Sequence, residues 1–533
     1  MTIHWLRCWG LGLALWMWLG AAHALTPADA LALVAGETDD RITTLNRLAS
    51  GSDDKAAALI QAMADERVRL VGERVLMVQG ESAVDAVTGE ALASVPEEAE
   101  DVMVNNRLRS AMETALAGMQ LFGAPPERQR EAAQSLQRNA FDEPDASQLP
   151  LIDKALAGEL DAQARQTLEL ARAAVLLASE DEAQRLAAAE KLGEARQAIV
   201  RPLLLQRLET EERAPVQAAL KASLAALDRS LAISSALGQA FTGLSLGSIL
   251  LLAALGLAIT YGLMGVINMA HGELIMIGAY ATWLVQSFFR EALPQWFDWY
   301  LLVAMPLAFI ASALVGAAME RTVIRFLYGR PLETLLATWG ISLVLMQGVR
   351  SLFGAQNVGV ENPGWMSGGV TLMGNLSLPW NRIIIIGFAV AVLVGVTLLI
   401  GRTRLGLFVR GVTQNRPIAS CMGVNTARID TYAFALGSGL AGLAGCALSQ
   451  IGNVGPDLGQ NYIVDSFMVV VLGGVGQIAG TVYAALGLGV LNKLLEGWAG
   501  AVLAKIAVLV FIIVFIQKRP QGIFAMKGRS AEA

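Results

Sequence analysis

Asn268, His271 and Glu273 lie close together in the stretch Gly265–Ala279, which reads GVINMAHGELIMIGA. They offer an amide with donor and acceptor, an imidazole and a carboxylate. Such groups suit hydrogen bonding to a small polar molecule, or the capping of a helix end. No Asp, Glu, Lys or Arg occurs from Ser230 to Gly272, so these polar groups sit where two apolar runs meet. Polar side chains beside hydrocarbon are costly unless they face protein or a water-filled path. The stretch predicts a break in a membrane helix that lines the route of a small polar solute. The plainer alternative is that the three residues only cap helix ends, with Glu273 near a helix N-terminus.

Two further stretches carry candidate chemistry. Gly473, Gly474, Gly476 and Gly480, with Gln477 among them, interrupt the apolar run Val464–Leu491. Broken apolar segments are where transporters tend to place solute sites, although small residues also let helices pack closely, as Gly437, Gly439, Gly442 and Gly445 would. The third stretch, Thr403–Arg428, is basic and amphipathic. Leu405, Phe408, Val409, Val412, Ile418 and Met422 alternate there with Arg410, Gln414 and Arg416, and Gly423 follows. It reads either as an interfacial helix anchoring a loop or as a helix that docks a cytosolic partner.

Composition says what must position these residues. Charged residues are 16% of the 533 and mean hydropathy is +0.50, against roughly 25% charged in soluble domains. Leu25–Ala236 holds 35 acidic and 22 basic residues, and Leu237–Ala533 holds 11 and 17. Two charge balances in one chain imply two solvents. The cysteines, Cys8, Cys421 and Cys446, leave Leu25–Ala236 without a disulfide framework. No Cys or His pair has zinc-ligand spacing, so no metal is expected. No cofactor and no nucleic-acid partner is expected either. No GxxxxGK[ST] phosphate loop occurs, so ATP is not hydrolysed by that route within this chain.

Met1–Ala24 reads as a secretory signal, with Arg7, the apolar run Trp9–Leu19, and Ala22-His23-Ala24 as the cleavage pattern. Residues 25–236 then form an exported, periplasmic helical domain. Asp39–Ala49 with Lys55–Asp65, and Asp181–Leu192 with Ala195–Leu208, read as HEAT-like helix pairs or as part of a plain bundle. Arg74–Val78 and Ser82–Val87, with a turn at Thr88-Gly89, predict a small β excursion. The scattered carboxylates there read as solvated surface.

Residues 237–533 show about eight apolar segments of spanning length: Phe241–Met264, Glu273–Phe289, Trp299–Met319, Leu332–Val349, Ile383–Ile400, Ile429–Leu448, Val464–Leu491 and Ala501–Ile516. The fold class is all-α, a polytopic membrane domain behind an exported helical one. Arginines crowd Arg321–Arg330 and Arg402–Arg428, and cations fill the tail from Lys518 to Arg529. The positive-inside rule makes these regions cytoplasmic. Counting back puts the chain before Phe241 outside, in agreement with the signal. An odd number of crossings must then separate Asp465 from Lys518, which predicts that Val464–Leu491 dips into the membrane and returns.

The second half resembles ABC-transporter permeases of the branched-chain amino acid type, over nearly all of Leu237–Ile523. The resemblance rests on FTGLSLGSILLLAALGLAITYGLMGVINMAHGELIMIGAY, on Gly406–Val424, on Gly473–Gly480 and on Arg519-Pro520-Gln521-Gly522. It implies that Gly406–Val424 is the loop contacting the ATPase, in a bacterial inner-membrane importer. A long exported domain, with Asn105-Asn106-Arg107-Leu108-Arg109, is similar to the urea-transporting members. The resemblance thus implies urea as solute. The implied partners are a second permease subunit, two cytosolic ATP-binding subunits and a periplasmic urea-binding protein. Urea, with four N–H donors and one carbonyl, suits Asn268, His271 and Glu273, and no Arg or Lys lies within Phe241–Phe289 to hold a carboxylate. Branched-chain amino acid uptake is the alternative, since helix N-termini also bind carboxylates. A passive channel and a transmembrane sensor are the other readings; a sensor would need a cytoplasmic output domain, and only a short basic tail follows Ile516.

Overall fold

The computed structural model describes residues 25–524, except 50–52, 81, 97, 122–123 and 374–375. The expected signal Met1–Ala24, the tail cations Lys527 and Arg529, and part of the expected loop Ser50–Asp54 lie outside the described residues. The chain divides into two units at Leu231/Ala232.

In the first unit, short polar residues start the helices. Thr26, Asp53, Asn105, Asp161 and Asp181 each accept a backbone N–H at the start of α1 (Pro27–Ala35), α3 (Asp54–Ala64), α4 (Asn106–Gln120), α7 (Ala162–Leu176) and α8 (Glu182–Glu194). With α2 (Thr38–Ala49), α5 (Pro126–Asp142), α6 (Leu149–Ala157) and α9 (Val200–Thr210), these helices bury one apolar core. Leu45, Leu59, Ile60, Met112, Leu136, Leu168 and Leu204 are fully enclosed in it, each such side chain contributing about 1.5–3 kcal/mol.

The expected strands are present as β2 (Arg74–Gln79) and β3 (Ser82–Asp85), joined where Gln79 faces Ser82. They belong to a five-stranded sheet with β1 (Val68–Val71), β4 (Ala91–Leu92) and β5 (Glu100–Asp101), in the order β4-β3-β2-β1-β5. This sheet follows α2 and α3 directly, so the unit is not a run of like helix pairs. Not every carboxylate here is solvated. The Glu211 side chain is 2% exposed and takes Arg185 Nε at 2.9 Å and Arg207 Nη2 at 2.8 Å. Burial pushes this carboxyl up, but Arg185, the Arg213 N–H and Arg207 outweigh it and bring it down to about 2.

α10 (Ala214–Met264) begins in the first unit and ends in the second. The second unit continues with α11 (His271–Ala292), α12 (Tyr300–Thr322), α13 (Pro331–Phe353) and α14 (Trp380–Arg402). The short helices α15 (Arg404–Gln414) and α16 (Arg416–Cys421) precede α17 (Thr426–Ser449), α18 (Leu458–Gly473), α19 (Ile478–Ala499) and α20 (Ala501–Lys518). A two-stranded ribbon, β6 (Gly369–Met373) with β7 (Leu376–Pro379), precedes α14. Among the described residues seven helices are long and apolar enough to cross a membrane. In α13, α14 and α20 only 17% of the apolar window is buried. Their apolar side chains point outward, the reverse of a water-soluble helix.

The apolar segment Val464–Leu491 is broken in the middle, as the glycines predict. It is two helices, α18 and α19, joined by a turn at Gly474–Gln477. A Cβ on Gly243 would strike Val490, one on Gly247 would strike Ala485 and Leu486, and one on Gly262 would strike Gly476. α19 therefore runs antiparallel to α10 along its length. The turn sits with the end of α20, since Ile523 N donates to Leu472 O at 2.8 Å. α18, of 16 residues, is shorter than the seven helices of spanning length. Gly473 and Gly480 are where the two backbones touch: a Cβ on Gly480 would lie 1.8 Å from Gly473 O.

Candidate functional site

α10 ends at Met264, and Gly265 turns the chain with φ 65°, a conformation glycine adopts without strain. The next residues climb back along α10, because His271 Nε2 donates to the Ala253 carbonyl at 2.9 Å. α11 thus starts beside α10 about three turns before its C-terminal end, and the helix break expected at this stretch is present. Asn268 Oδ1 accepts Ala270 N at 3.1 Å, closing the turn before the helix. No side chain caps α11 itself.

A second helix start meets this one. A Cβ on Gly272 would lie 2.5 Å from Gly459 O, and a Cβ on Gly459 would lie 2.3 Å from Gly272 O. Only glycine fits at both positions. The N-terminal turns of α11 and α18 are therefore in backbone contact inside the bundle. Helix N-termini carry unpaired N–H groups and partial positive charge, so this junction favours electron-rich atoms.

Glu273 supplies them. It is 1% exposed. Its Oε1 accepts Ser342 Oγ at 3.0 Å, and its Oε2 has no partner among the described residues. Tyr280, two turns further along the same face of α11, has an unpartnered hydroxyl and stacks on Phe353 with ring centres 4.9 Å apart. Asp457 immediately precedes α18. α13 faces the junction with Thr334, Thr338 and Ser342, all buried. Thr338 Oγ accepts Met269 N at 3.1 Å and donates to Leu335 O at 3.1 Å.

The sequence-expected residues therefore divide. Glu273 faces α13, while His271, two residues earlier, faces α10, as residues at i and i+2 on a helix do. His271 Nδ1 and Asn268 Nδ2 are likewise buried without partners. Gly473, Gly474, Gly476 and Gln477 are elsewhere: Gly476 lies against Gly262, roughly 13 Å along α10 from Ala253 by helical rise. Tyr280, Ser342, Thr338 and Asp457 escaped sequence reading. A usable signal existed in α13, where Thr334, Thr338 and Ser342 repeat every fourth residue in an apolar helix and so share a face.

The basic loop forms α15 and α16. Gly406 turns tightly against α14, its Cβ position lying 2.0 Å from Ile400 O. Leu407, Phe408, Ile418 and Met422 are exposed, Met422 at 80%. Gln414 and Cys421 are exposed as well. Arg410 Nη1 donates to Ile400 O at 2.5 Å, and Gly423 turns the chain with φ 84°. The Arg416 side chain is 41% exposed. It pairs with Asp430 and lies over the Tyr328 ring, 4.8 Å from its centre. Tyr328 Oη donates to Glu320 Oε1 at 3.1 Å, and Thr431 Oγ donates to Glu320 Oε2 at 2.6 Å. One buried polar network thus ties α16 to α12 and α17.

The family described as "Branched-chain amino acid transport system / permease component" matches residues 239–517, just over half of the chain. The chain is 29% identical over 291 residues to the high-affinity branched-chain amino acid transport system permease protein BraD of Pseudomonas aeruginosa, covering 54% of this chain and 95% of that one. It is 28% identical over 298 residues to the permease protein LivH of Escherichia coli, covering 54% and 94%. It is 25% identical over 295 residues to the probable LivH of Methanocaldococcus jannaschii, covering 52% and 88%. No solved structure gives a significant match. A helical bundle of membrane-spanning length, matched end to end by such permeases, places the chain in the branched-chain amino acid ABC-permease family, as a multi-pass transport component.

Proposed function

We propose that this chain is the permease subunit of an ATP-driven importer of urea, forming the route together with a second permease. The observation that carries the solute class is the junction of α11 and α18. Among the described residues its free hydrogen-bonding atoms include a carboxyl oxygen of Glu273 and the Tyr280 hydroxyl. A buried carboxyl oxygen without a partner favours a neutral molecule rich in N–H donors. Urea has four N–H bonds to give and a carbonyl that the Tyr280 hydroxyl or the Asn268 amide would meet. On this reading a periplasmic binding protein delivers the solute and two cytosolic ATP-binding subunits dock on Arg404–Val424 through its exposed apolar side chains. The first unit lies on the periplasmic side.

Branched-chain amino acid uptake is the second reading, favoured by the names of BraD and LivH. The α11 and α18 N-termini would then hold the carboxylate. Uptake of labelled urea by cells carrying the full transporter, with leucine as competitor, separates the two. Urea uptake that excess leucine leaves unchanged supports urea; saturable leucine uptake without urea uptake overturns it.

A further inference from the structure

α18 turns a different face outward from its neighbours. α13, α14 and α20 expose apolar side chains. Asp457, Gln460, Asn461 and Val464 are the exposed residues at the start of α18, with Asp465 and Met468 half-buried in the same stripe. Steps of three and four keep the stripe on one side of the helix. The opposite side, with Ile463, Ser466, Val469 and Val470, is buried in the bundle. This is the pattern of a helix that meets water, set among helices that meet lipid.

Depth gives the stripe its meaning. Gly459 is in backbone contact with Gly272, which follows His271, whose ring donates to the Ala253 carbonyl. Ala253 is near the midpoint of the apolar run Phe241–Met264. α18 therefore begins at mid-membrane depth, and Gln460 and Asn461 stand open where lipid would offer no hydrogen bond. Their bonds within the chain are long. Gln460 Nε2 reaches Met346 Sδ at 3.6 Å, and Asn461 Nδ2 reaches Asp457 O at 3.5 Å. Two amides and two acids left against hydrocarbon are costly, so groups at this depth face protein or a water-filled path. Asp457, Gln460 and Asn461 also lie within one turn of Gly459. The helix start that meets α11 at the junction thus opens directly onto the stripe.

We infer that this stripe is one wall of a water-filled route for a small polar solute, closed on its far side by the second permease. The inference rests on the transport reading, and it names the face of this chain along which the solute moves.

Cysteine accessibility of the full transporter in membranes tests it, with Cys421 replaced by serine and Cys446 buried. Gln460→Cys and Val464→Cys should react with a water-soluble methanethiosulfonate at least about tenfold faster than Val390→Cys on α14 and Val510→Cys on α20, because thiolate forms in water and not in hydrocarbon. Val464, Val390 and Val510 are 53%, 52% and 52% exposed, so burial within the chain would not account for the difference. Two stripe positions keep the test intact if one variant fails to assemble. Stripe rates as slow as those at Val390 and Val510 overturn the route, whether lipid or a dry subunit contact covers the stripe. Val464→Trp should stop uptake with the transporter still assembled, and normal uptake by that variant also overturns the route. Labelling needs no solute. It can fail while urea uptake stands, and it can hold while leucine proves to be the solute.

Discussion

Two buried glutamates set the units of this molecule apart. Glu211, in the first unit, meets Arg185 and Arg207 and the Arg213 N–H, so its charge is fully answered. Glu273, in the membrane unit, has one hydroxyl partner and one oxygen with none. A satisfied buried acid holds a fold together, and removing a partner leaves an uncompensated charge. A half-satisfied acid within a membrane bundle contributes little to the fold and stays available to a solute. Burial alone does not separate the two roles; the count of partners does.

This contrast can be broken by substitution. Arg185→Ala should destabilise the first unit by about 3–5 kcal/mol, seen as a lowered unfolding midpoint of the full chain. A shift near zero would make Glu211 as idle structurally as Glu273. Glu273→Gln should leave the unfolding midpoint nearly unchanged and lower solute uptake by about tenfold or more, about 1.4 kcal/mol of lost interaction. A large stability loss with normal uptake would reverse the assignment of the two acids.

Arg416→Glu should abolish ATP-dependent uptake, and the exchanged pair Arg416→Asp with Asp430→Arg should recover part of it. Uptake unaffected by Arg416→Glu would favour a passive channel. Ser342→Ala removes a single hydroxyl and should weaken uptake only about two- to fivefold, an effect of under roughly 1 kcal/mol. The first unit also carries a pH dependence. The Glu211 carboxyl is held below its ordinary value of 4.5, at about 2. Its contribution is therefore complete above about 4.5 and fades as pH falls through about 2. Acid titration followed by circular dichroism should show this loss, and Arg185→Ala should flatten it.

Much of this was readable beforehand. The break at Gly265–Ala270 followed from a polar cluster after a long apolar run, and the strands β2 and β3 followed from alternating apolar residues. A glycine cluster such as Gly473–Gly480 looks alike whether it unwinds a helix or lets two helices touch, and here it does both. The partner of Gly473 is seven residues away, across a tight turn. Tyr280, Ser342 and Asp457 were missed for a related reason: each is unremarked alone and gains meaning where α11, α13 and α18 converge. Arg416, expected to face a partner subunit, is engaged by Asp430 and Tyr328 while its side chain stays 41% exposed. The exposed apolar residues Ile418 and Met422 beside it are the ones left to meet a neighbour.

The chain also carries its own topology reporter. Cys446 is enclosed by packed helices, whereas the Cys421 thiol is open at the end of α16. On the proposed orientation, a charged maleimide that cannot cross bilayers should modify Cys421 in inside-out vesicles and spare it in right-side-out ones. With the native thiols alone, labelling chemistry then tells which compartment the arginine-rich face looks into.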